Sequence, residues 1–141
     1  MTKPPTARRT GICLLTIGLP LALSGCGDAR PSVTGKVTLD GSPLPDAIIS
    51  FMPESEEGAP SFGRTDGQGN YTLQESQEAG GAAVGKYTVR ITTYRDGQPE
   101  VDPPIPRVPE KVPPRYNLDT ELTEEVKPGE NVFNFPLTSK K

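Results

Sequence analysis

Cys26 is the residue best placed to do chemistry. It follows Leu23-Ser24-Gly25, the end of an uncharged stretch that opens with the Ile- and Leu-rich run Gly11 to Leu23. A thiolate is a good nucleophile toward an activated lipid donor. The expected product is a thioether to diacylglycerol. Cleavage before Cys26 would free an amine that can take a further acyl chain. Small Ser24 and Gly25 fit the peptidase site that such a cleavage needs. Cys13, the second of two cysteines, lies upstream and would leave with the leader. The mature chain would then hold neither a free thiol nor a disulfide, so its core alone must hold it together.

The leader has the order of an export signal. Lys3, Arg8 and Arg9 form a basic start, and the apolar run follows. That run is too short to span a ~30 Å hydrocarbon layer as a helix, and Pro20 weakens a transmembrane reading further. Arg8-Arg9 lack the flanking residues of a twin-arginine signal. Leu23 to Cys26 resembles a bacterial lipobox. The expected organisation is a signal peptide at 1–25, a lipidated cysteine and short tether at 26–32, and one domain at 33–141.

Other catalytic chemistries are poorly supplied. There is no histidine among the 141 residues, which removes Ser-His-Asp and Cys-His nucleophilic sites and the usual zinc sets. No S-x-x-K motif and no phosphate-binding G-x-x-x-x-G-K-[ST] loop occurs. Asp66-Gly67-Gln68-Gly69-Asn70 clusters oxygen ligands, but Gln77 stands where an EF-hand loop needs its closing glutamate. A turn in which Asp66 and Asn70 bond their own backbone is favoured over a calcium site. Glu54, Glu56 and Glu57, and then Glu121, Glu124 and Glu125, offer carboxylates for glycoside hydrolysis only if a cleft brings them together. A solvated face is favoured. No metal and no cofactor beyond the acyl lipid on Cys26 is expected, nor is enzymatic activity.

Charge narrows the partners. Loss of 1–25 removes Lys3, Arg8 and Arg9 and no acid, so the net charge moves from −3 to −6. An acidic domain lacks the basic footprint that nucleic acid requires. The expected partners are the membrane through the lipid anchor, an envelope protein, and alternatively a glycan such as peptidoglycan. With no tryptophan and eight other aromatics, a sugar-stacking platform is the weaker option.

The elements that must carry these features read as strands. Seventeen prolines and fifteen glycines argue against long helices. Val33, Val37 and Leu39 alternate on one face, and Asp40-Gly41 signals a hairpin turn. Ala47, Ile49 and Phe51 alternate next, and a short strand follows at Phe62 to Thr65. Tyr71 to Leu73 resumes the pattern, with Tyr71 and Tyr87 expected in the core. Lys86 to Tyr94 is the strongest strand, with Tyr87, Val89 and Ile91 inward. Glu121 to Val126 and Val132 to Thr138 close the domain, the latter with Phe133, Phe135 and Leu137 on one face. About seven strands with one apolar face each imply an all-β sandwich of immunoglobulin or transthyretin type. Between them, residues 95–120 hold seven prolines from Pro99 to Pro114 and are expected to run as extended, polyproline-like chain. Arg115 and Tyr116 within that loop are the preferred partner contact, against the simpler and favoured reading that the loop wraps the sandwich and covers a sheet edge.

Three segments resemble the carboxypeptidase regulatory-like family. Gly35 to Ala47 is similar to its opening hairpin, G-x-V-x-x-x-G-x-P-L-x-G-A, with Asp46 where the family often has glycine. Thr65-Asp66-Gly67-Gln68-Gly69-Asn70-Tyr71 resembles its T-D-x-x-G-x-Y turn, and Gly85 to Val89 its G-x-Y-x-V strand. The match runs from about Val33 to Tyr94. The tail, Pro113-Pro114-Arg115-Tyr116 followed by Leu122 to Val126 and Gly129 to Phe135, is similar to a subgroup of planctomycete lipoproteins. The resemblance implies a transthyretin-like β-sandwich in a membrane-anchored, non-catalytic accessory or binding module.

Overall fold

The computed structural model describes Thr2 and residues 30–56, 58–75 and 80–140. Leu23, Ser24, Gly25 and Cys26 lie outside the described residues. Among the described residues, ten short strands form two five-stranded sheets. β1 (Ser32–Leu39) is the spine of the first sheet. It pairs with β2 (Ser42–Pro43) and β5 (Asn70–Thr72) on one side, both antiparallel, and runs parallel to β9 (Glu130–Val132) and β10 (Phe135–Leu137). The second sheet runs β6 (Gln74–Glu75), β4 (Ser61–Arg64), β3 (Ile48–Pro53), β7 (Gly85–Thr92), β8 (Thr123–Val126).

The alternation read from the sequence sets which side of each strand is buried. Val33 and Val37 of β1, Ile49 and Phe51 of β3, and Tyr87, Val89 and Ile91 of β7 are buried. Lys86 and Arg90 of β7 face outward. Phe51 joins the layers: its ring lies 5.8 Å from that of Tyr87 in its own sheet, and 5.9 and 6.4 Å from those of Phe133 and Phe135 on the other. Tyr71 stacks on Phe135 at 6.3 Å. The fold is an all-β sandwich.

Turn chemistry holds the register. Asp40 and Gly41 have φ of 50° and 82°, the paired positive values of a two-residue hairpin loop, and Leu39 pairs with Ser42 across it. Asp46 also adopts a positive φ, 59°. Its neighbours are fixed by Thr65, whose hydroxyl donates to the Leu44 carbonyl (2.6 Å) and accepts from the Ala47 amide (2.8 Å).

The first strand begins at Ser32, which already pairs with Glu130, and Pro31 before it is buried. Three expectations need correction. Two edge strands, β2 and β6, are too short to leave a periodic signal. The closing strand is not continuous but splits at Phe133-Asn134. Residues 95–120 are not plain extended chain. Arg95 to Val108 doubles back as a small hairpin, with reciprocal backbone bonds between Arg95 and Val108 and between Gln98 and Ile105. Pro104 and Pro106 lack the N–H that a continuous ladder needs, so only bridges form. A single 3-10 turn follows at Pro114–Tyr116.

The split in the closing strand follows from a long-range hydrogen bond. The register to β1 is unchanged across it: Thr34 faces Val132 and Val37 faces Phe135. The Phe133 carbonyl turns away from the ladder and accepts the buried Tyr71 hydroxyl at 2.8 Å. The Lys36 amide takes the Asn134 side-chain oxygen at 3.0 Å instead. This rearrangement needs Gly35, since a Cβ there would stand 1.8 Å from the Phe133 oxygen.

Candidate functional site

The outward face of β3 and β7 forms the floor of a groove of about 770 Å³. Ser50, Arg90 and Thr92 stand on the floor, because their odd neighbours Ile49, Phe51, Val89 and Ile91 are committed to the core. Glu110 to Pro114, with Asn117 and Leu118, form one wall, and Tyr94 and Ser139 complete the lining.

Glu110 builds the wall. Its carboxylate accepts from the Thr92 hydroxyl, from the Thr93 amide (3.0 Å) and hydroxyl (2.9 Å), and from the amides of Lys111 (3.0 Å) and Val112 (2.9 Å). Burial alone would raise its pKa, but the bonds from Thr92, Thr93 and Val112 outweigh this and hold it below the usual carboxylate range. Downstream, buried Val112 presents its carbonyl to the Asn117 side-chain amide at 3.1 Å. Thr120 donates to the Val89 carbonyl at 2.7 Å. Leu118 is left 80% exposed.

A group whose folded pKa is depressed contributes stability above its unfolded value and loses it as pH falls through the folded value. Glu110→Gln is therefore expected to cost about 1.5 kcal/mol at pH 7, the carboxylate being partly solvated. The difference from wild type should narrow once pH drops below 4.5, the ordinary value for this group. Urea melts at pH 7 and pH 3 check this; an equal gap at both contradicts it.

Arg115 and Tyr116 lie outside the groove lining. The Arg115 guanidinium donates to the Thr138 carbonyl, to the Thr138 hydroxyl (2.9 Å) and to the Lys140 carbonyl (2.7 Å). It also sits 4.8 Å from the centre of the Tyr116 ring. The pair thus fastens the loop to the chain after β10. The useful signal for the groove was instead Thr92-Thr93 beside a distant Glu110, a link that strand periodicity does not reveal.

The remaining candidates fall on turns and edges. Asp66 accepts from the Gln68 and Asn70 amides at 2.8 and 2.9 Å, and these bonds lower its pKa. Among the described residues no group of three His, Cys, Asp or Glu side chains is arranged to hold a metal. Glu121 and Glu125 are exposed, whereas Glu124 stands opposite core residue Tyr87 and is half-buried. Burial pushes its carboxyl up. No described helix is long and apolar enough to cross a membrane.

No protein-family model matches the chain, and no curated protein does. Among solved structures it is similar to the crystal structure of a DUF3823 family protein from Parabacteroides merdae ATCC 43184. That likeness has 21% identity and a TM-score of 0.40, and it covers 78% of this chain. The chain spans about half of that protein's length, 47% of it being covered.

Proposed function

We propose that this chain is a lipid-anchored cell-envelope protein whose sandwich is a non-catalytic binding module. The observation that carries the anchor is the order of basic start, apolar run, small residues and cysteine ending at Cys26. A single acyl chain holds a protein only marginally, whereas two or more give stable attachment. Because Pro31 is already buried in the sandwich, the reach from Cys26 is at most about 18 Å. The domain therefore sits against the membrane that holds it, facing the periplasm or the exterior.

The binding half of the proposal is supported by a shaped groove on a rigid sheet, walled by a loop that is held down rather than loose. The likeness to carboxypeptidase regulatory-like modules of planctomycete-type lipoproteins belongs to the same proposal. It is supported by the turn roles of Asp40-Gly41, Asp46 and Asp66, which fall inside the quoted motifs.

Metabolic labelling with a fatty-acid probe, followed by membrane sedimentation, tests the anchor. Wild type and Cys13→Ser should label and sediment with membranes; Cys26→Ser should do neither. Labelling that survives in Cys26→Ser overturns the proposal.

A further inference from the structure

We infer that the groove between the β3–β7 face and the Glu110 to Leu118 wall takes a short peptide segment in which a carboxylate side chain neighbours an apolar one. The inference deepens the binding reading above and rests on it.

Two cations line the groove, Arg90 on the floor and Lys111 on the wall. Both are exposed, and among the described residues neither side chain has a hydrogen bond or an ion pair. The one carboxylate that lines the groove, Glu110, is spent on the backbone and hydroxyl donors that hold the wall. The site thus presents uncommitted positive charge on a chain whose net charge is negative. Arg64, on the same sheet, is by contrast already paired with Asp46 at 2.8 Å.

Charge complementarity selects a carboxylate and disfavours a cationic ligand. The wall adds Val112, Pro113 and the exposed Leu118, which favour an apolar side chain beside it. A volume of about 770 Å³ lies in the ~300–1,000 Å³ range that encloses a drug-sized ligand, so a few residues of peptide fill it. A neutral glycan fits less well, since Tyr94 already carries the Arg107 guanidinium 5.1 Å from its ring centre.

The test uses the full chain purified in mild detergent and end-capped hexapeptides of alternating Glu and Leu, Gln and Leu, or Lys and Leu, with chitotetraose as the glycan. Anisotropy titration should give saturable binding of the Glu/Leu peptide, at least tenfold tighter than the Gln/Leu peptide and weakened by salt. Arg90→Gln and Lys111→Gln should each weaken it about tenfold, while Arg64→Gln leaves it unchanged. Both substitutions are at exposed positions, and thermal melts check that the variants fold. Equal binding of the Glu/Leu and Gln/Leu peptides, no effect of Arg90→Gln, binding of chitotetraose alone, or no peptide binding would each overturn the inference. Peptide binding by the purified chain does not depend on where the protein resides. Failure here leaves the lipid anchor standing, and failure of Cys26 labelling leaves the groove standing.

Discussion

Gly35→Ala is expected to destabilise the sandwich by at least ~3 kcal/mol, a large share of the ~5–15 kcal/mol that holds a typical domain. The added methyl would stand 1.8 Å from the Phe133 oxygen and 2.9 Å from the Tyr71 ring. Neither neighbour gives way cheaply. The Phe133 oxygen is backbone and accepts the Tyr71 hydroxyl. The Tyr71 ring is buried against Phe135, and that burial pushes its phenol well above the ordinary range. Moving the carbonyl back into the ladder would strand a buried hydroxyl, which costs about 1–3 kcal/mol by itself. Urea denaturation measures the loss. A midpoint within error of wild type would mean that the closing strand relaxes freely past β1, and the account of the split would be wrong.

Phe51→Ala is expected to cost about 3–5 kcal/mol. The side chain is fully buried and touches aromatic rings of both sheets. Its removal takes away apolar burial and leaves a cavity between the layers, where Phe133, from the break between β9 and β10, and Phe135, from β10, come from the distant C-terminal segment. The loss should appear as a lower denaturation midpoint with an unchanged slope, as long as the two sheets still unfold together. A cost under 1 kcal/mol would show that the layers hold without this contact.

The sequence carried much of this fold in its alternation. The inward sets Ala47, Ile49, Phe51 and Tyr87, Val89, Ile91 are the core residues that the period of two picks out. Asp40-Gly41 announced its hairpin because positive φ at both positions is chemically restricted. The split at Phe133-Asn134 was not legible, because the alternation and register continue through it. Its cause is a hydroxyl on Tyr71, 62 residues away. The loop at 95–120 misled for a related reason. Its prolines do block a regular ladder, but Glu110 supplies long-range anchors to Thr92 and Thr93 that composition does not reveal. The groove exists only once those anchors form, so its lining was unreadable, although the outward position of Arg90 was plain.

The proposed anchor would join the sandwich at one covalent point, Cys26, and the intact mass of the mature protein from membranes is the measurement that decides it. The account predicts a chain that begins at Cys26, without residues 1–25, and carries the added mass of a diacylglycerol thioether with or without a further acyl group. A mature chain that begins elsewhere, or that carries Cys26 as a free thiol, would contradict it.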